Sequence, residues 1–347
     1  MEVIKADVQN KTAWNEFIRH NYPPVGAFMQ TWEWGEFQKA LGKKAERYFL
    51  TDKNELSAAF TLVHHALPLG LSYGYAPRGP VIAAGFSQEK NLVEAFKTIK
   101  DWAQKNLSHL LFLRLEPPAS PINSGLKQHG FFTPPYYIQP RFNHAVILDS
   151  EEEEILKSFH PSTRANIRKA GNRGVTVEIK SRMDADDYQQ FFAMARETIQ
   201  RNSGKNAYPS PPYFHALIKS VPFLSKTSDK NSLSLGAFYG YQHGEPAAAH
   251  FVLFFGDTAT YLYGASFSDK LNSKVSTYLH WRAMQEAQRR GFRYYDLGGI
   301  DEKRWPTLTN FKRQFRGKEF DYMGNIDIPI RPLLYNAYNL LKKFRTT

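Results

Sequence analysis

A chain of 347 residues with 42% apolar content can bury one large core or two ordinary ones, and two is the better reading of that length. Its 45 Lys and Arg against 33 Asp and Glu leave a formal charge of +12, which points to a polyanionic partner: nucleic acid, a diphosphate-bearing ligand or an anionic membrane surface. Cysteine is absent, which excludes disulfides, thiolate metal sites and a cysteine nucleophile and is compatible with a reduced, cytoplasmic setting.

The opening residues, MEVIKADVQNK, lack the apolar run of a signal peptide, and the longest apolar run, 247–255 with His250 inside it, is too short to span a bilayer, so a soluble protein is expected. Helical spacing around Trp14, Phe17 and Ile18 gives way to a turn at Pro23-Pro24-Val25-Gly26. In 30–38, QTWEWGEFQ, Thr31 can cap a helix on which Trp34, Phe37 and Leu41 fall at helical spacing, and most of that aromatic content reads as core. Strands are expected over 45–50 and 58–64, joined through Asp52-Lys53-Asn54-Glu55; an aromatic strand follows in 71–80, LSYGYAPRGP, then a helix over 88–106 and an apolar strand over 109–115. The acidic run 149–154, after a proline-rich aromatic stretch, is a composition shift, and the domain boundary is placed there: 1–148, completed by 318–347, and 149–317.

Beyond the boundary, HPSTRANIRKAG (160–171) reads as a helix with Arg164 and Arg168 four residues apart; Lys169 and Arg173 add two more cations with no acid among them. Like charges at that spacing cost stability unless an anion meets them, which favours phosphate contact over a solvated face. A strand over 175–179 and a helix over 185–201 lead to 202–213, NSGKNAYPSPPY, read as a surface loop from its Gly, Pro and Ser. Strands over 233–239, 247–255 and 260–265 make a meander, and a helix over 275–290 delivers the stretch 292–317, FRYYDLGGIDEKRWPTLTNFKRQFRG. There the apolar run 292–297 is stopped by Gly298 and Gly299, as a buried strand ends in a tight turn where backbone must approach something closely. Lys312 then stands between Phe311 and Phe315 with Arg313 and Arg316 nearby: a fixed charge for a reacting carbonyl or phosphate, or a solvated basic loop. In the last segment Pro332 can open a helix with Leu333, Leu334, Ala337, Leu341 and Phe344 on one face and Lys342, Lys343 and Arg345 at its end. Packing of that face on the first domain is the leading reading, contact with an anionic membrane the other.

The two halves repeat one order: strand, turn, strand, aromatic strand (73–75, then 261–263), helix, apolar strand, roughly 180 residues apart. An internal duplication of a mixed α/β unit accounts for this, with ligands expected in a cleft between the repeats. By analogy of fold, the order β-β-β-α-β matches the GNAT-like N-acyltransferase unit.

QTWEWGEFQ, YAPRGP (75–80), HPSTRANIRKAGNRG (160–174) and YDLGGI (295–300) followed by Phe311-Lys312 together resemble the FemABX family of non-ribosomal peptidyltransferases over nearly the whole chain. The resemblance implies an α/β protein of two GNAT-like N-acyltransferase domains, here without the coiled-coil insertion of some members. It implies transfer of an amino acid from aminoacyl-tRNA, a co-substrate with no other cofactor and no metal, to the stem-peptide amine of a peptidoglycan precursor. That acceptor is lipid II or UDP-MurNAc-pentapeptide, met in the cytoplasm or at the inner face of the plasma membrane. Lys312 matches the family's functionally important lysine; Tyr213 and Tyr263 match aromatic positions of the precursor pocket. Trp34, Gln38, Lys39, Tyr75, Arg78, Tyr208, Gly298, Gly299 and Phe311 complete the expected substrate site, and Arg164, Arg168, Lys169 and Arg173 the phosphate or tRNA contacts. The chain departs from compact relatives at Glu36 and at Tyr208, where they carry a lysine and an arginine for the nucleotide diphosphate; a lipid-linked acceptor, or another grip by Arg78 or Lys39, is then expected. Transfer from another acyl donor and RNA binding without catalysis are the competing readings.

Overall fold

The order of elements expected twice is found twice. A computed structural model describes all residues except 87, 119–125, 135, 202–207, 228 and 346–347, and leaves out the side chains of 127 and 342–345. Unit 1 comprises Met1–Pro23, Met29–Arg141 and Asp321–Thr347; unit 2 comprises Pro24–Phe28 and Phe142–Phe320.

The first part of the chain forms β1 (Glu2–Lys5), α1 (Lys11–Asn21), α2 (Trp32–Ala40), β2 (Ala45–Asp52), β3 (Glu55–Ala66), β4 (Ser72–Ala76), β5 (Val81–Ile82), α3 (Glu89–Asn106) and β6 (Phe112–Leu115). The second forms β7 (Phe142–Ile147), α4 (Glu152–Ser158), α5 (Pro161–Asn172), β8 (Val175–Lys180), α6 (Ala185–Arg201), α7 (Pro211–Ser220), β9 (Ser234–Gln242), β10 (Glu245–Phe255), β11 (Thr258–Ser266), α8 (Val275–Arg289), β12 (Tyr294–Ile300), α9 (Pro306–Arg313) and β13 (Lys318–Asp321). The chain then adds β14 (Ile326–Pro329) and α10 (Pro332–Arg345) to unit 1.

Each unit is built on one sheet, ordered β1-β2-β3-β4-β6-β14 with β5 beside β3 in unit 1, and β8-β9-β10-β11-β12-β7-β13 in unit 2. Turns join the second, third and fourth strands of each sheet antiparallel, the first strand being separated from them by two helices, whereas α3 and α8 carry the chain back across the sheet, so β6 runs parallel to β4 and β12 parallel to β11. Both helices are shaped for that crossover by an apolar stripe: α3 buries Leu92, Ala95, Phe96, Ile99 and Ala103, and α8 buries Val275, Leu279, Ala283 and Ala287. The cores assemble beneath them, from Phe60, Leu62, Phe96 and Leu113 in unit 1 and from Phe238, Val252, Phe254, Leu279 and Tyr295 in unit 2.

The division falls between Arg141 and Phe142, not at the acidic run. β7 pairs antiparallel with β12, Tyr295 opposite Val146, and so extends the sheet of unit 2; β14 pairs antiparallel with β6 and extends that of unit 1. The acids that suggested a boundary occupy the first turn of α4, where Glu152, Glu153 and Glu154 complement the helix dipole. Two further expectations change. The 202–213 loop is described only from Tyr208, and its last residues are already helical, Ser210 preceding Pro211 and Pro212 at the start of α7, positions where proline loses no hydrogen bond. Gly298 and Gly299 lie inside β12 and do not end it.

α10 docks by its tyrosines, not by its leucines. Tyr335 is buried against Leu111 and Phe112 with Tyr338, Leu67, Leu71 and Tyr73 around it, and its hydroxyl donates to Asp327 at 2.8 Å. Asp327 in turn takes a bidentate pair from the buried Arg114 at 2.6 and 2.7 Å. Leu333, Leu334, Ala337 and Leu341 are exposed, as is Leu340, which overturns the expectation that this stripe packs on the first domain; the side chain of Phe344 lies outside the described residues. Among the described residues no helix is long and apolar enough to cross a membrane.

Candidate active site at the open end of the β11–β12 pair

The parallel ladder between β11 and β12 covers only Thr258 to Thr260 against Tyr294 to Asp296. It stops where β12 is kinked: Gly298 adopts φ +82°, and the register of β12 on β7 shifts between Asp296 and Gly299. Asp296, fully buried, fixes the kink by accepting the Gly298 N–H at 2.7 Å and the Asn143 amide at 3.0 Å. The carboxyl ends of two parallel strands are thus left unladdered, the place where α/β sheets receive ligands.

Lys312 sits at this opening. Its Nζ donates to the Gly299 carbonyl at 2.6 Å and would stand 3.6 Å from a Cβ added at Gly298. The loop before α9 is locked around Asp301, whose carboxylate accepts the N–H groups of Lys303 and Arg304 and whose own N–H donates to Thr309 Oγ1. Only 6% of Lys312 is exposed. Burial lowers its pKa to about 8, against the pull of the Asp296 carboxylate, so the ammonium persists at neutral pH yet can release its proton.

Behind the lysine lies a cluster that the sequence reading did not single out. His280 meets Tyr295 Oη at 3.0 Å, and its ring lies 4.4 Å from His250, 4.6 Å from Tyr261 and 5.8 Å from Phe311. Burial drives His250 to about 3 and holds His280 well below its ordinary value, helped by the charge of Lys312, so both rings stay neutral. His280 had no signal beyond its place in a helical pattern; His250 inside the run 247–255 was visible as a polar interruption.

Three predicted tyrosines meet alongside. Tyr263 on β11 donates to Tyr213 on α7 at 3.2 Å, with the rings of Tyr208 and Phe214 at 6.0 and 5.1 Å. Gly264, next to Tyr263, is needed for the packing of the histidine cluster, because a Cβ there would fall 2.3 Å from the Tyr261 hydroxyl and 2.7 Å from His250. Burial raises the pKa of Tyr208, Tyr213 and Tyr263, which keeps their phenols neutral.

The predicted residues of unit 1 have other engagements. Trp34 is buried against Phe37 at 4.8 Å, Gln38 accepts from Lys43, and Lys39 pairs with Glu36 at 3.0 Å. Glu36 is also held by Arg47, itself stacked 3.7 Å over Trp32, in a hollow of about 260 Å³. Tyr75 donates to the buried Glu116, while Arg78, 3% exposed, donates to the Pro140 carbonyl and stacks 3.8 Å over Tyr322. Arg78 therefore serves the interior of unit 1, and the expectation that it grips a diphosphate is withdrawn. On α5, Arg164 donates to the carbonyls of Lys157 and Phe159 and Arg173 to that of Asn272, leaving Arg168 and Lys169 exposed. Among the described residues no group of His, Asp and Glu is arranged to hold a metal ion.

Comparison with known proteins agrees with this architecture. The FemAB family model matches residues 10–123, 122–222 and 231–343. The lipid II:glycine glycyltransferase of Staphylococcus haemolyticus (strain JCSC1435) is 21% identical over 388 residues, 92% of each chain, and that of Staphylococcus aureus (strain USA300) is 22% identical over 394 residues, again 92% of each. Both alignments are longer than the 347 residues of this chain, so these relatives carry insertions that it lacks. Among solved structures, FemX superposes with a TM-score of 0.78 at 20% identity, covering 97% of this chain and 99% of the other. A tandem GNAT protein from the clavulanic acid biosynthesis pathway superposes at 0.53 with 10% identity, covering 95% and 98%, and supports the duplicated GNAT-like fold. With matches over most of its length and the duplicated fold in common, the chain belongs to the FemAB family.

Proposed function

We propose that this protein is an aminoacyltransferase of peptidoglycan bridge formation, moving an amino acid, glycine as first candidate, from aminoacyl-tRNA to the stem-peptide side-chain amine of a lipid-linked precursor. The observation that carries the reading is the buried Lys312 ammonium at the open end of the β11–β12 pair, in a family whose relatives include lipid II:glycine glycyltransferases.

An aminoacyl ester is an activated donor, so the reaction needs approach, charge stabilisation and proton handling, and no covalent intermediate on the enzyme. The acceptor nitrogen attacks the ester carbonyl carbon, a C–N bond forms, the bond to the ribose oxygen breaks, and the proton lost from nitrogen ends on that oxygen. Lys312 is positioned to hold the developing oxyanion. With a pKa near 8 it can also give a proton to the leaving ribose oxygen and regain one from the amine. The neutral phenols of Tyr208, Tyr213 and Tyr263 line the acceptor side and donate hydrogen bonds without adding charge. Exposed Arg168 and Lys169 meet donor phosphates.

The lipid-linked acceptor is favoured over UDP-MurNAc-pentapeptide because neither departure supplies a cation. Glu36 is held ionised by Lys39 and Arg47, its pKa lowered by them despite partial burial, and Tyr208 is a neutral phenol. The test is transfer of radiolabelled glycine from glycyl-tRNA to detergent-dispersed lipid II, with the nucleotide-linked precursor in parallel. Labelled lipid-linked product is expected. Equal binding of charged and uncharged tRNA with no transfer from any charged tRNA would assign the protein to RNA binding instead, and transfer from an acyl-coenzyme A to the other acyltransferase reading.

A further inference from the structure

Leu69 is 91% exposed and Leu333 86%, and on the same face of α10 as Leu333 lie Leu340 at 58% and Leu341 at 62%. Isolated exposed leucines are ordinary; these converge on one packed module of unit 1. Leu69 is the tip of the turn between β3 and β4, and the residues flanking that turn, Leu67 and Leu71, pack beside Tyr335 and Tyr338 on the inner face of α10. Leu69 also sits at φ +61°, a left-handed conformation that glycine or asparagine would adopt at less cost, so a large apolar side chain is displayed there against local preference. The module is rigidly founded, since Tyr335 is tied to Asp327 and Asp327 to Arg114.

Along the sequence, the charge of the segments that carry these leucines has one sign. From Arg331 onward the sequence reads RPLLYNAYNLLKKFRTT, with Arg331, Lys342, Lys343 and Arg345 and no acid, and the turn, HHALPLGL (64–71), contains none either. Exposed leucines in segments whose sequence carries cations and no acids bring together the two signals that hold a protein at an anionic bilayer, apolar insertion and attraction to charged headgroups, each weak alone. A second copy of the chain would bring the same cations face to face, and an acidic protein would leave the leucines with no apolar phase to enter.

We infer that the Leu69 turn and the outer face of α10 form a docking surface for an anionic phospholipid bilayer. This deepens the proposed function and rests on it for its purpose, the access of unit 2 chemistry to an acceptor that stays in the membrane. It does not rest on it for its test, which needs no substrate. The intact protein is sedimented with vesicles of phosphatidylglycerol and phosphatidylcholine, and with phosphatidylcholine alone. Binding to the anionic vesicles is expected, weakening with salt, and the variant Leu69→Ser, Leu340→Ser, Leu341→Ser should bind them about tenfold more weakly or worse. All three positions are exposed, so the circular dichroism and unfolding midpoint should be unchanged. The inference is overturned by absence of binding to anionic vesicles, by equal binding of the triple variant, or by a wild-type dimer in velocity sedimentation that the same substitutions dissociate while vesicles bind neither protein. Transfer to acceptor dispersed in detergent separates the two readings: it should proceed at the wild-type rate in the triple variant, and its absence in the wild type would count against the function alone.

Discussion

The two units use one topology and finish it differently at the same point. In unit 1 the parallel pair β4–β6 is closed by protein: the Glu116 N–H donates to the carbonyls of Ala76 and Gly79, its carboxylate takes the Tyr75 hydroxyl and the Gln139 N–H, and Arg78 fills the turn beyond. In unit 2 the corresponding pair β11–β12 is left open by the kink at Gly298, and the group brought to the opening is the single buried lysine of α9. A duplicated fold needs only one copy of the crevice for chemistry. The other can be filled, and what fills it is a set of buried polar groups satisfied by one another.

The largest expected effect breaks the closed copy. Asp327→Ala would leave the buried Arg114 guanidinium without its carboxylate and free the hydroxyl of Tyr335, and loss of one partner of a buried pair costs about 3 to 5 kcal/mol. Denaturant unfolding should show that loss as a lowered midpoint. A change below about 1 kcal/mol would mean that the network does not hold unit 1 together.

The open copy should respond in rate instead. Lys312→Ala is expected to raise the barrier to transfer by about 2 to 4 kcal/mol, with acceptor binding nearly unchanged. Wild-type turnover in this variant would remove the lysine from the reaction. Its effect on stability has the opposite sign. The folded pKa, about 8, lies below the ordinary value of 10.5, so between those values the unfolded chain binds the extra proton and Lys312 makes the protein gain stability as pH rises. Lys312→Met should therefore be more stable than wild type at pH 7, with the difference shrinking from pH 8 to 10.5. If the ammonium acts in transfer as proposed, it is lost over the rise through pH 8, and a falling limb in turnover near that pH should vanish in the variant. A difference in stability that stays constant across that window would contradict the assigned pKa.

A smaller effect sharpens the geometry. Gly298→Ala meets no serious clash, since the added Cβ would lie 3.6 Å from Lys312 Nζ and 3.7 Å from the Tyr261 carbonyl, but it must hold φ +82°, at a cost of about 1 to 2 kcal/mol. If the kink keeps the crevice open, turnover should drop by more than unfolding stability does. Equal small changes in both would make Gly298 a feature of the strand alone.

Where the sequence pattern was local, it was legible. Periodicity and turn residues gave both repeats in order, and Lys312 stood out as a cation among aromatics in a stretch that otherwise reads as core. What escaped depends on partners far along the chain. Nothing in FNHAVI says that β7 pairs with β12 and so belongs to unit 2, and nothing in the leucines of α10 says that two tyrosines on the other side win the interior. The glycines at 298–299 are compatible with a turn or with a kinked strand, and only the pairing on β7 decides. His280 is one polar residue on a buried helix face, indistinguishable in sequence from a satisfied core histidine.

The basic helix shows the same limit and yields the smallest effect. Four cations on and after α5 looked equivalent, but Arg164 closes the end of α4 through two carbonyls and Arg173 is tied to Asn272, 99 residues along the chain. The proposed phosphate contact then rests on Arg168 and Lys169. Each phosphate contact contributes about 0.7 to 0.9 to the slope of log affinity against log salt, so Arg168→Gln with Lys169→Gln should flatten the slope of tRNA binding by about 1.4 to 1.8 while leaving the unfolding midpoint in place. Arg164→Gln with Arg173→Gln should do the reverse, lowering stability through the carbonyls it exposes and moving the slope little. Filter binding of charged tRNA between low and physiological salt reads the first quantity and denaturant unfolding the second. If the two double variants flatten the slope equally, the hydrogen bonds of Arg164 and Arg173 yield to phosphate on binding and all four cations of this stretch belong to the RNA interface.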